Sequence, residues 1–250
     1  MPFTFSHPAA VIPLLRRGRL IGSALVFGTV APDLPYFAGA FALGDTAHAW
    51  WAVPTVDIAI TLALVGVWHL VLRGPLVGLL SPRWAAAAEQ LTRSHDRRIG
   101  LSRALWFALS AGIGAATHVV WDAFTHPGRF GTRLVPALET ARLFGKPPYD
   151  WLQYGSSVIG LVALGWYATQ ELRRAERAGG APVAGASAAT RRLVLGLTVV
   201  AAMLGVAYRI AGWSRPGLPL LSLIPVIAFG AIAGAGAALV IYALVAPRRG

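Results

Sequence analysis

Thr117-His118-Val119-Val120-Trp121-Asp122-Ala123-Phe124-Thr125-His126 closes an apolar run that begins at Ala104. The run has the length and the Ala/Leu/Gly texture of a helix that crosses a bilayer, without the period-2 alternation of a barrel strand. His118, Asp122 and His126 recur every fourth residue, so on a continuous helix they line one face. An imidazole and a carboxylate one turn apart can both reach one metal ion. Titratable groups in a membrane segment are costly and mark a functional site by default. The spacing also fits a bland alternative, in which His118 and Asp122 merely hydrogen-bond between helices.

Composition extends the helical reading to the whole chain. Of 250 residues, 56% are hydrophobic and 13% charged, and the mean hydropathy is +0.61. A soluble domain carries about 25% charged residues. In lipid every backbone polar group must be satisfied internally, which leaves helices or a closed barrel. The expectation is an all-α, polytopic integral membrane protein with about five or six transmembrane helices plus short interfacial or re-entrant helices.

The net charge is +12, and Lys146 is the only lysine among the 22 basic residues. These charges sit in short connections between apolar runs, the pattern of cytoplasmic loops that meet anionic lipid. No basic patch interleaved with aromatics occurs, so nucleic acid is not expected as a partner and membrane lipids are. The absence of cysteine excludes disulfides, thiolate metal sites and cysteine nucleophiles. The N-terminus lacks the basic region and cleavage site of a signal peptide. No phosphate loop, G-x-S-x-G elbow or H-E-x-x-H occurs. The Arg-rich, Lys-poor usage fits a bacterial source, and the expected location is the inner membrane, crossed several times.

Residues 8–15 are too short to span a bilayer and read as interfacial or re-entrant. After a basic turn at Arg16-Arg17-Gly18-Arg19, a second short segment ends in Ala31-Pro32-Asp33-Leu34-Pro35, where two prolines leave a carboxylate on an irregular turn. Spans follow at 57–72, closed by Arg73-Gly74-Pro75, and at 104–124, where Gly112 and Gly114 permit close packing. Segments 76–80 and 84–88 read as short interfacial helices, and further spans are expected at 154–170, 193–211 and 218–245. Ser156 and Ser157 read as polar helix contacts. The expected division is a membrane domain over 1–170 carrying a His/Asp metal site, a flexible basic linker over 171–192 and a C-terminal helical pair over 193–250.

The positive-inside rule places 16–19, 73–103, 173–192 and 248–249 in the cytoplasm. The 128–153 connection then faces outward although it holds Arg129, Arg133, Arg142 and Lys146, which departs from the rule. On this orientation Asp33, the His118/Asp122/His126 end and the 42–53 loop with His48 share one side. His7 joins them if the two short segments fold back on each other. The candidate ligands are His7, Asp33, His118 and Asp122, with His126 or His48 as a further ligand or a proton carrier. Nitrogen and oxygen donors suit a divalent metal, with zinc foremost and manganese or iron as alternatives. His69 reads as a packing residue, and His95 beside Asp96 as a solvated turn.

Three blocks together, Met1-Pro-Phe-Thr-Phe-Ser-His-Pro, Ala31-Pro32-Asp33-Leu34-Pro35-Tyr36-Phe37 and the Thr117–His126 stretch, resemble the bacterial membrane family catalogued as domain of unknown function 4184. Gln153-Tyr154-Gly155-Ser156-Ser157 fits the same pattern, and the resemblance runs to about residue 160. The order of blocks is also similar, more distantly, to the YdjM-like inner-membrane family of metal-dependent hydrolases and to zinc-dependent phospholipase C. That resemblance implies metal ligation by His7, Asp33, His118 and Asp122. The chain departs from the pattern in lacking a later His-x-x-x-Glu pair, which limits the expectation to one or two ions.

The functional expectation is a metal-dependent hydrolase acting on a phosphoester or other ester, a lipid among them, at the membrane surface. His126 or His48 would move protons. Two rivals stand beside it: a non-enzymatic protein whose His/Asp cluster is a structural polar lock, and a proton-coupled carrier titrating at Asp33 and Asp122.

Overall fold

The computed structural model describes residues 3–93, 100–179, 183, 185–212 and 223–246. His95 and Asp96 lie outside these, as do residues 218–222 of the expected last span and residues 180–182 and 184 of the expected linker; residues 171–177 and 188–192 of that linker are helical instead. Among the described residues the structure is helical without strands. After a 3-10 segment over Thr4–Leu14, the helices are α1 (Gly22–Gly28), α2 (Leu34–Phe37), α3 (Phe41–Ala47), α4 (Val56–Leu79), α5 (Pro82–Thr92), α6 (Leu101–Thr125), α7 (Phe130–Leu134), α8 (Ala137–Thr140), α9 (Pro148–Arg177), α10 (Ala188–Ala211) and α11 (Leu223–Val245). Four of these, α4, α6, α10 and α11, are long and apolar enough to cross a membrane.

Two stop signals in the sequence act differently from expectation. Arg73-Gly74-Pro75 does not end α4, which continues to Leu79 and absorbs residues 76–79. A π turn over Trp68–Leu72 precedes the proline, and the Arg73 amide reaches back to the Trp68 carbonyl. The carbonyl four residues before Pro75 belongs to Val71, inside that turn, so the shifted ladder relieves the clash a proline makes in a regular helix. Pro32 and Pro35 likewise do not leave an irregular loop. Ala31–Asp33 is a 3-10 turn running into α2. Segment 84–88 falls within α5, and α9 begins at Pro148, where a proline suits a first helical turn.

The chain forms two compact units. The first comprises residues 1–35, 40–65 and 96–169. In it α1 crosses α6 at Gly28 and Gly114. A Cβ on Gly28 would lie 2.5 Å from the Ala111 carbonyl oxygen, and one on Gly114 would collide with the Leu25 carbonyl oxygen. Gly112, expected to share this role, has no neighbour within 4 Å and faces away from the crossing. Ser110 Oγ accepts from the Ile21 amide at 2.9 Å, fixing where α1 starts against α6. The 3-10 segment is pinned to α9: the Phe3 amide donates to Ser157 Oγ at 2.8 Å, and Gly160 lies against Ser6. Ser156 Oγ accepts from Trp121 Nε1 at 3.0 Å, so both serines are polar helix contacts as read from the sequence.

The second unit comprises residues 36–39, 66–95 and 170–250. Here α10 and α11 pack backbone to backbone through Gly205, Gly230 and Gly234, where any Cβ would strike the facing helix. Arg209 Nη2 donates to the carbonyls of Tyr36 and Phe37 at 3.0 Å each, satisfying the end of α2. Phe229 packs on the rings of the same two residues. Val77, Ala85 and Ala88 form a small core with Leu172 and Val183.

Candidate metal centre

The centre grows from α6. One turn apart, His118 and Asp122 are fully buried. Because α1 crosses so closely, the Thr29 carbonyl reaches His118 Nδ1 at 2.7 Å. A carbonyl only accepts, so Nδ1 carries the proton and Nε2 presents a lone pair. His48 ends α3 in the same state, its Nδ1 2.8 Å from the Gly44 carbonyl. The two Nε2 atoms face each other at 3.3 Å. Neither neutral ring can donate across that gap, so the two lone pairs oppose each other unless a metal ion or a proton lies between them.

The carboxylates complete the set. Asp33 Oδ1 is 3.4 Å from His48 Nε2 and 3.5 Å from His118 Nε2. Asp122 Oδ2 is 3.5 Å from His48 Nε2 and 3.7 Å from His118 Nε2. One ligand atom from each of Asp33, His48, His118 and Asp122 fits within a mutual 4.8 Å. Metal–ligand bonds of about 2.0–2.1 Å in a tetrahedron put ligand atoms about 3.4 Å apart. The five separations that involve a histidine nitrogen match that spacing, so this buried cluster can hold a metal ion. The unpaired atoms point the same way. Asp33 Oδ1 and both Asp122 oxygens are buried without a hydrogen bond, a costly state for a carboxylate that no cation compensates.

The supporting contacts are specific. Thr4 Oγ1 donates to Asp33 Oδ2 at 2.5 Å, leaving Oδ1 for the cluster. Thr4→Val removes this bond at nearly constant shape. It is expected to cost about 1.5–3 kcal/mol of stability and to weaken metal affinity about 10–100-fold, read by thermal unfolding and competitive zinc titration. An unchanged affinity would show that Thr4 does not orient Asp33.

Of the residues singled out in the sequence, Asp33, His118 and Asp122 come together as expected, and His48 is the fourth member of the set. His7 lies against the cluster: its ring stacks on His118 at 3.8 Å between centroids, and its Nε2 is 3.5 Å from Asp122 Oδ1. His126 ends α6 in extended backbone, so it leaves the helical stripe. Its Nδ1 folds back to 3.0 Å from the Asp122 carbonyl oxygen and 3.6 Å from Oδ2. His69 sits half-buried in the π turn of α4.

Electrostatics divide these rings. Burial pushes His7 down to about 3, with His118 adding to the effect and Asp122 opposing it. Burial likewise lowers His126, to about 4, against the pull of Asp122. For His48 burial works against the charged form, but Asp122 and Asp33 outweigh it and raise the pKa above the usual histidine value. Burial would raise Asp33, yet His118 and His48 hold it below the ordinary carboxylate range.

Sequence reasoning passed over Asp57, in the first turn of α4. It is fully buried, both oxygens lack a hydrogen bond, and it lies within electrostatic reach of His48 and His118. The available signal was a carboxylate opening an apolar run.

No curated protein and no solved structure matches the chain. Residues 1–244 match the model of the family described as Domain of unknown function (DUF4184). That span covers the three motif blocks and, beyond residue 160 where the motif resemblance ends, also α10 and all but the last residue of α11. The chain therefore belongs to the DUF4184 family.

Proposed function

We propose that the protein is a multi-pass membrane hydrolase that uses one divalent metal ion, held by Asp33, His48, His118 and Asp122, on a phosphoester or other ester at the membrane surface. The observation that carries this reading is the pair of facing Nε2 lone pairs between two carboxylates that lack hydrogen bonds. Two nitrogens and two oxygens favour zinc, with manganese or iron as weaker fits. Such an ion would supply Lewis acidity toward water and toward an ester or phosphoryl oxygen, which requires a coordination position beyond the four side chains.

The chain's own residues do the rest. Thr29, Gly44 and Thr4 fix the rotations of His118, His48 and Asp33. His7 Nε2 lies 3.5 Å from Asp122 Oδ1, the oxygen that does not face His48. The His126 side chain is 17% exposed, at the rim, and its Nε2 is buried without a hydrogen bond. It is the proton carrier in this reading. Counting α9 as a span beside the four apolar helices, with the 3-10 segment and α1 as a re-entrant pair, gives five crossings in a bacterial inner membrane.

The test is hydrolysis by the zinc-loaded protein of p-nitrophenyl phosphate, p-nitrophenyl butyrate and mixed phospholipid vesicles. At least one is expected to be cleaved, with activity lost on chelation and restored by zinc. His126→Ala should lower turnover about 10²–10⁴-fold while zinc content stays the same. A zinc-loaded protein inert toward all three would overturn the enzyme reading in favour of a structural lock.

A further inference from the structure

Beside His48 the first unit opens into a cleft of about 290 Å³, walled by Asp45, Trp50, Arg129, Phe130 and Arg133. Its floor includes Val119 and Ala123, each the next residue on α6 after His118 and Asp122. The cleft therefore lies directly against the cluster and shares His48 with it.

Its charges have no structural explanation of their own. The 128–153 connection holds four basic residues on a side where few are expected. Two are used locally: Arg142 Nη1 donates to the carbonyls of Glu139 and Ala141 at 2.7 and 2.9 Å, and Lys146 pairs with Asp150 at 3.8 Å. Arg129 and Arg133, one turn apart, line the cleft, and neither makes a salt bridge among the described residues. Glu139, the carboxylate that acts on Arg133 electrostatically, already accepts the Gly128 amide at 2.6 Å. Asp45 has a partner as well. Two guanidinium groups lining one cleft suit the several oxygens of a tetrahedral anion better than a single carboxylate.

The size and rim limit what enters. A volume of about 290 Å³ is at the lower edge for a ligand pocket, enough for a headgroup but not a whole lipid. Trp50 and Phe130 meet edge to face at 6.3 Å, and each is more than half exposed. They offer an apolar seat for the remainder of the molecule, at the level where aromatic side chains border a bilayer.

We propose that this cleft binds the phosphoryl group of the substrate, with its oxygens on Arg129 and Arg133 and its ester side toward His48. That the bound group is substrate rests on the hydrolase reading above; the anion site itself does not.

The full chain in phosphatidylcholine nanodiscs, stripped of metal, provides the test. In one arm glycerol 3-phosphate is titrated and followed by ³¹P line broadening. In the other, nanodiscs carry phosphatidic acid, and its retention is read by native mass spectrometry. Saturable binding is expected in at least one arm, weakened at least tenfold in Arg129→Gln/Arg133→Gln and unchanged in Arg17→Gln/Arg19→Gln, which loses the same charge elsewhere. Binding in the first arm identifies a soluble phosphate ester, and binding only in the second a lipid headgroup. No saturable binding in either arm, or equal binding by the cleft variant, would overturn the proposal. Zinc uptake is measured on the same samples and should be equal in wild type and cleft variant. Phosphoryl binding without zinc uptake would sustain the cleft and remove the metal reading.

Discussion

Asp122→Asn is expected to abolish the response of the protein's thermal stability to metal while leaving it folded. Asp122 is the hub of the cluster: Oδ1 faces His7, and Oδ2 faces His48, His118 and His126 at 3.5–3.7 Å. Asparagine keeps the shape but removes the charge, and its amide nitrogen can donate to an imidazole Nε2 that is otherwise a bare acceptor. The variant is thus supplied with a hydrogen bond where wild type needs a cation. A ligand that binds only the folded state adds about 4 kcal/mol when present at about a thousand times its Kd. Wild type should gain roughly that much on zinc addition and lose it on chelation, and Asp122→Asn should do neither. If a proton rather than a metal fills the cluster, wild type ignores zinc and chelator, and Asp122→Asn destabilises it by breaking a buried ion pair, at a cost of about 3–5 kcal/mol. The two readings are therefore separated by the same melting curves.

Gly114→Ala carries the second large effect, at a position that supplies no ligand atom itself. The added methyl would meet the Leu25 carbonyl oxygen and lie 2.9 Å from the Thr29 amide, both backbone atoms that no rotamer change can move. The helices α1 and α6 must separate, which costs about 1–3 kcal/mol or more. The same movement draws the Thr29 carbonyl from His118 Nδ1, so zinc affinity should fall about 10–100-fold. Gly112→Ala is the matched control, because its methyl meets open space and gains helix propensity of up to about 1 kcal/mol. Equal stability and affinity in the two variants would contradict the claim that this crossing sets the His118 tautomer.

The contrast between these glycines shows where sequence reading stops. Both sit two residues apart in one apolar run, and both permit close packing. Which one is used depends on the rotation of α6 toward α1, a tertiary fact. The i, i+4 spacing of His118 and Asp122 was sufficient to place two members of the cluster, because helical periodicity fixes their geometry locally. Asp33 was legible for another reason, as a carboxylate held between prolines beside an apolar segment. His48 could be assigned only to the right side of the membrane. Its partnership with His118 joins residues 70 positions apart and depends on α3, a seven-residue helix in a loop rich in tryptophan. The end of α4 was misread for a local reason: Gly74-Pro75 is a strong stop in a regular helix, but the preceding π turn removes the clash on which that signal rests. Asp57 was taken only as the start of a span, since nothing in its neighbours along the chain announces that it comes within electrostatic reach of His48 and His118. The unexpected basic residues at 129 and 133 were visible as an exception to the topology rule, and the fold turns that exception into one wall of a cleft.

The central claim is that Asp33, His48, His118 and Asp122 hold a metal. It is tested most directly by elemental mass spectrometry on detergent-purified protein reconstituted with zinc, wild type beside His48→Ala and His118→Ala. The account predicts about one zinc per wild-type chain and background in both variants. Wild-type protein without metal after reconstitution with zinc, manganese and iron in turn would contradict it.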